Sequence, residues 1–204
     1  MKVLLTGFEP FGGDERNPSQ MICEALSEHT IERCEVHTRI LPVSFSKAPL
    51  LLRQGLDDIR PDIALSLGYS AKAACFVLER VALNLEDARI ADNDKYQPED
   101  ARIDPENVPA METTLPVRMI EAHLKNRGIP SQISYTAGTF VCNAVFYRLL
   151  SEGQRRGYPR RAGFIHVPAL PEMAIGKRDQ SFLPLEYMVN GIREVIDYLC
   201  RSAE

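Results

Sequence analysis

A thiol at the start of a helix and an imidazole at the end of a strand are the two halves of a cysteine nucleophile site. This chain carries both patterns. Gly138-Thr139-Phe140-Val141-Cys142-Asn143 places Cys142 where a loop of small residues turns into a helical period. At such a position the free N–H groups and the positive end of the helix dipole favour a thiolate, and the same N–H groups can donate to an oxyanion. Gly163-Phe164-Ile165-His166-Val167-Pro168 puts His166 at the end of an apolar run. An imidazole there is either a general base at the carboxyl edge of a sheet or a satisfied core histidine, and the pattern supports the two equally. A base needs a third group to hold its tautomer. Glu79 is the best candidate, because a carboxylate within the otherwise apolar stretch from Cys75 to Leu83 needs a partner. The alternative is a surface pair with Arg80 or a partnership with another arginine.

Other motifs point away from nucleotides and metals. Thr6-Gly7-Phe8-Glu9-Pro10-Phe11-Gly12-Gly13 is a glycine-rich loop after a strand, but Asp14 follows its last glycine where a Walker loop carries lysine. The glycine spacing also fails the dinucleotide fingerprint. Phe8 and Phe11 either cap the core or form an apolar cup for a small ligand at the carboxyl edge of a parallel sheet. His29, His37, His123 and His166 match no HExxH spacing, and Cys23, His29, Cys34 and His37 fit no standard zinc pattern. No metal and no cofactor is expected.

These groups need a scaffold, and the chain patterns as α/β. The expected strands are Val3–Thr6, Val36–Leu41, Ile63–Leu67, Phe76–Leu83, Ile133–Tyr135 and Gly163–Val167, several apolar throughout as for strands covered on both faces. Helices are expected after Asn17-Pro18-Ser19, from Ser44 to about Ile59, from near Leu115-Pro116 to Gly128, from around Phe140, and from about Leu185 to Leu199. Ala88–Glu112 is rich in Asp, Glu, Pro and Asn without a period, which marks a surface excursion of the kind that forms lids or interfaces.

With 204 residues, 45% of them hydrophobic, one domain over residues 1–204 is expected. A formal charge of −4 gives no reason to expect nucleic acid or an anionic membrane as partner. No apolar run is long enough to span a bilayer. Gly7 and Glu9 interrupt the N-terminus before a signal-peptide core forms, so the cytoplasm is the expected location. The five cysteines are odd in number and include no CxxC pair, so all are expected to be reduced, with Cys23, Cys34, Cys75 and Cys200 structural.

Taken together, the segments resemble the pyroglutamyl peptidase type I (pyrrolidone-carboxylate peptidase) family over almost the whole chain. The resemblance lies in TGFEPFGG (Thr6–Gly13), NPS (Asn17–Ser19), ERVALN (Glu79–Asn84), DARIADN (Asp87–Asn93), SYTAGTFVCN (Ser134–Asn143) and GFIHVPALPE (Gly163–Glu172). It implies an α/β/α sandwich with a mixed, largely parallel sheet. It also implies a cysteine peptidase without metal or cofactor that removes an N-terminal 5-oxoproline from peptides, and a homotetramer or homodimer. By the same resemblance the nucleophile falls on Cys142, the base on His166, the orienting carboxylate on Glu79 and an oxyanion arginine on Arg89. The lactam pocket falls on Phe8, Phe11, Phe140 and Val141, with Asn17 in a block associated with substrate contacts. The chain departs from the family pattern at Tyr69, where a glutamine commonly helps hold the substrate, and at Phe76-Val77, where an aliphatic–hydroxyl pair is usual. Two rival readings follow: an amidase in which Tyr69 suits another acyl group, and a binding protein that has lost turnover.

Overall fold

In the computed structural model, which describes residues 1–27 and 29–202, the aliphatic runs become one seven-stranded mixed sheet. Four strands run parallel through it: β1 (Lys2–Phe8), β3 (Cys34–Leu41), β4 (Ile63–Tyr69) and β9 (Arg161–Val167). β5 (Phe76–Glu79) and β8 (Ser131–Ser134) run parallel to each other, with β5 antiparallel to β9. The short β2 (Thr30–Ile31) closes the opposite edge, giving the order β2-β3-β1-β4-β9-β5-β8.

Alternation along the strands sends side chains to two cores. Val3 and Leu5 of β1, with Ile165 and Val167 of β9, pack under α1 (Pro18–Leu26), α3 (Val117–Asn126) and α6 (Leu185–Arg201). Leu4 and Phe8, with Ala162 and Phe164, pack under α2 (Lys47–Ile59) and α4 (Val141–Arg156). Period two therefore carries His166 to the α4 side with Phe164. Helical spacing does the matching work on α6, where Met188, Ile192, Val195, Ile196 and Leu199 are fully buried. Each such side chain contributes about 1.5–3 kcal/mol. At α1, Asn17 caps the helix by accepting the Ser19 N–H at 3.0 Å, with Pro18 in the first turn. The architecture is the expected α/β/α sandwich with a mixed, largely parallel sheet.

Three expectations are corrected. The run Phe76–Leu83 is two strands, because Arg80 turns the chain out of the main sheet. Its N–H donates to the Ser134 carbonyl at 2.8 Å while its own carbonyl accepts from Thr113 at 2.9 Å. Beyond it, β6 (Val81–Leu83) pairs with β7 (Ala110–Glu112) in a separate ribbon. The helix expected from Ser44 begins at Lys47, since the Ser44 hydroxyl accepts the Lys47 N–H at 3.1 Å and stays outside. Finally, Cys34 and Cys200 are joined in a disulfide with Cα atoms 6.4 Å apart, against the expectation that all five thiols are free. A sequence separation of 166 conceals a pair that forms only when the end of α6 packs beside the sheet edge. A bridge closing so long a loop restricts the unfolded chain strongly. Cys200→Ser is expected to lower unfolding free energy by about 2–4 kcal/mol with turnover unchanged. An identical denaturant midpoint in variant and wild type would show that the bridge contributes nothing.

The 88–112 excursion is tied down by buried polar side chains. Asp92 accepts N–H groups from Phe45, Asp94 and Tyr96 at 2.9 Å each. Asn84 donates to the Asp104 and Val108 carbonyls and accepts from the Asp104 N–H. The segment is thereby fixed against the turn that follows β3.

Candidate active site

Four neighbouring segments build one site at the carboxyl end of the parallel strands. Gly68 of β4 lies beside His166 of β9, and His166 lies opposite Val77 of β5. Glu79 sits two residues further along β5, on the same face as His166 by the strand period. It does not pair with Arg80, whose guanidinium binds Glu112 at 2.9 Å instead. Glu79 is 2% exposed, and its Oε1 meets His166 Nδ1 at 2.8 Å. Its Oε2 is buried with no hydrogen-bond partner among the described residues. This contact fixes the Nδ1–H tautomer and leaves Nε2 as the nitrogen available to a thiol.

Cys142 is that thiol, in the first turn of α4. The Phe140 carbonyl accepts the Ala144 N–H at 3.2 Å, so the N–H groups of Val141, Cys142 and Asn143 precede the helix's own hydrogen-bonding pattern. Burial disfavours the His166 imidazolium, but the hydrogen bonds and charges of Cys142 and Glu79 outweigh it and raise His166 to about 9. The other free cysteines are different. Burial pushes the Cys23 thiol far up and the half-buried Cys75 thiol up as well.

Gly68 is required by close approach. A Cβ there would lie 2.8 Å from the Phe164 ring and 3.0 Å from Cys142 Sγ. The Phe164 ring is itself held 4.9 Å from the His166 ring and 5.9 Å from Phe146. Gly68→Ala must therefore displace Cys142 Sγ or the ring packed against His166. A misplacement near 1 Å costs about 10²-fold, and that loss in kcat/KM is the expected result, with KM little changed. Wild-type kcat in the variant would show that the site tolerates the shift.

Two cavities meet at Cys142. The first, of about 190 Å³, is walled by Phe8, Phe11, Val43, Phe140 and Val141, with Tyr69 and Asn17 also on its lining. The ring of Phe140 lies 5.2 Å from Phe11 and 5.3 Å from Phe45, so three aromatics brace one another. Phe8 serves both of its readings, packing against Phe164 at 6.4 Å from within the core while forming the cavity floor. Asn17 reaches the cavity, but its amide is committed to the α1 cap and to the Glu9 carbonyl at 2.9 Å. The second cavity, of about 640 Å³, holds His166, Glu79 and Arg89. Arg89 is exposed and has no hydrogen-bond or ion-pair partner among the described residues. Among the described residues, no three His, Cys, Asp or Glu side chains converge in a way that could hold a metal ion.

Residues to which the sequence alone assigns no role hold these parts in register. Asn143 receives the Leu83 N–H at 2.8 Å and donates to the carbonyls of Leu83 and Leu85 at 2.8 and 2.9 Å. Thr139 and Asp87 exchange two hydrogen bonds, at 2.7 and 3.1 Å. The loop bearing Arg89 is thus stapled to the residues on either side of Cys142. A buried asparagine next to the cysteine was the available signal, since an amide in a helix's first turn needs partners elsewhere.

Known proteins share this arrangement of chain. A family model described as pyroglutamyl peptidase matches residues 1–202. The pyrrolidone-carboxylate peptidase of Thermococcus litoralis is 45% identical over 176 residues, covering 86% of this chain and 80% of that protein. That of Gloeobacter violaceus is 44% identical over 200 residues, covering 98% and 97%. The solved structure of pyrrolidone carboxyl peptidase from Pyrococcus furiosus superposes with a TM-score of 0.97 at 39% identity, covering 99% of both chains. With the match running through the cysteine, histidine and glutamate segments alike, the chain belongs to the pyroglutamyl peptidase family.

Proposed function

We propose that this protein is a cysteine peptidase that hydrolyses the amide bond following an N-terminal pyroglutamyl residue. The observation that carries the reading is the His166 ring, bound to Glu79 at 2.8 Å and lining one cavity with Cys142, which also borders the aromatic cup. Oxoproline is a neutral lactam with no ammonium group. Its recognition needs ring faces and a few polar atoms rather than the carboxylate or metal that holds a free amine. Phe8, Phe11 and Phe140 supply the faces.

The Cys142 thiolate attacks the scissile carbonyl, forming a C–S bond as the carbonyl electrons move to oxygen. Arg89 and the Cys142 backbone N–H stabilise that oxyanion. Collapse breaks the C–N bond, and the proton on His166 Nε2 passes to the departing amine. Water then attacks the thioester while Nε2 takes its proton. The C–S bond breaks to release pyroglutamate, with the thiolate and imidazolium restored. Proton transfers of this kind each contribute about 10²–10⁴-fold.

The test compares release of a fluorogenic amine from pyroglutamyl, prolyl, acetyl-alanyl and glutaryl conjugates. Cleavage confined to the pyroglutamyl conjugate supports the assignment. Preference for another acyl group would favour the rival amidase, with Tyr69 on the cavity wall as the residue responsible. The cytoplasm is the proposed compartment, since a thiolate nucleophile must stay reduced. Retention of the Cys34–Cys200 bridge in protein isolated from the cytoplasm under thiol-trapping conditions is the check, because that bridge has to survive there. Among the described residues no helix is long and apolar enough to cross a membrane. A homodimer or homotetramer is the proposed assembly by family membership, and sedimentation velocity checks it.

A further inference from the structure

The two cavities beside Cys142 differ in how their charges are satisfied. On the cup side, Arg16 pairs with Glu172 at 2.9 Å and Asp14 lies 3.7 Å from Lys177. On the leaving-group side, Lys72 and Arg89 both line the wall, both are exposed, and neither has a hydrogen-bond or ion-pair partner among the described residues. The one carboxylate on that wall is Glu79, which is buried and already bound to His166. The imbalance is local, because the chain as a whole has 28 acidic against 24 basic residues.

Both cations stand on anchored backbone. In the turn after β4, the Ser70 N–H donates to the Val167 carbonyl at 3.1 Å and the Ala73 N–H to the Ser70 carbonyl at 3.0 Å. Gln180 adds a hydrogen bond to the Ala71 carbonyl at 2.7 Å, directly before Lys72. Arg89 follows the Asp87–Thr139 link. Two unpaired cations held at fixed stations on one wall raise the local concentration of anionic ligands.

Resting on the peptidase reading above, in which Arg89 serves the oxyanion, we propose that Lys72 makes the leaving-group side selective for peptides carrying a carboxylate within the first two residues after oxoproline. That carboxylate comes from an acidic side chain or from the free end of a short peptide, and both present the same anion to Lys72. Polar neighbours Gln132 and Ser134 on the same wall suit the peptide backbone. Lys72 acts here on specificity, while the bond-breaking groups are unchanged.

The experiment measures kcat/KM for the amide-capped peptides pGlu-Ala-Ala, pGlu-Glu-Ala and pGlu-Lys-Ala and for uncapped pGlu-Ala, in the wild type, Lys72→Met and Lys72→Glu. An exposed ion pair of this kind gives about a twofold to fivefold preference. The expected result is that preference for pGlu-Glu-Ala over capped pGlu-Ala-Ala in the wild type, its loss in Lys72→Met, and its reversal towards pGlu-Lys-Ala in Lys72→Glu. Salt at 0.5 M should shrink it. Enhancement of uncapped pGlu-Ala as well identifies the chain end as a second source of the anion. Each ratio is taken within one variant, so a partly unfolded preparation does not mimic the effect. Equal rates for the glutamate and alanine peptides, or a ratio indifferent to Lys72, would overturn the selectivity while leaving the peptidase intact. Failure to cleave even capped pGlu-Ala-Ala would remove both.

Discussion

Cys142→Ala is expected to reduce hydrolysis of a pyroglutamyl amide by at least about 10⁴-fold, with the fold and the aromatic cup unchanged. Among the described residues, the side chain removed is the one free thiol on the cavity that His166 lines. What survives in the variant is binding in the cup and the oxyanion donors, which act on an attacking water far less effectively than on a thiolate. A second readout separates loss of the nucleophile from general damage. His166 owes its elevation to about 9 to Cys142 as well as to Glu79, so removing the sulfur should bring the ring's titration down towards its ordinary range. An NMR titration of the imidazole reads this without any turnover. In the wild type, iodoacetamide should label Cys142 ahead of Cys23 and Cys75, whose thiols are pushed up by burial. Retained hydrolysis in Cys142→Ala would remove this residue from the mechanism.

The three groups proposed for catalysis were legible from their places in local patterns: Cys142 at a helix start, His166 at the end of an apolar strand, and Glu79 as a carboxylate among aliphatics. Period two even sets His166 on the same face as Phe164. What stayed hidden depends on contacts distant in sequence. Phe45 completes the aromatic brace around Phe140 across 95 positions of chain, and nothing in Val43-Ser44-Phe45 marks it. The Cys34–Cys200 bridge exists only because α6 returns to the first strands. The break at Arg80 was invisible because Val81-Ala82-Leu83 has the same β propensity as the strand before it. Lys72 and Arg89 stand 17 positions apart, and only the fold sets them on one wall.

Glu79→Gln is the second variant with a large expected effect, and its signature is in the pH profile. The amide keeps the size of the carboxylate and can still accept from His166 Nδ1, but it loses the charge that favours imidazolium. It can also present its NH₂ to Nδ1 and select the wrong tautomer. The expected loss in kcat/KM is about 10²–10⁴-fold.

The sign of the pH shift follows from the groups around the ring. His166 is raised, so the stabilisation its charged form adds is complete below the ordinary histidine value of 6.5 and is lost as pH rises through about 9. Activity that needs the imidazolium as acid should fall over the same alkaline limb in the wild type. With glutamine at position 79, one of the two supports is gone, and the limb must move to lower pH. Losing the carboxylate's charge also removes part of the stabilisation that the charged ring gains on folding, so the variant is expected to melt below the wild type and is assayed well below its own midpoint. A displaced alkaline limb in the still-folded variant identifies Glu79 as a positioning and electrostatic partner of His166. An undisplaced limb with reduced kcat would mean that Cys142 alone sustains the imidazolium and that Glu79 only orients the ring.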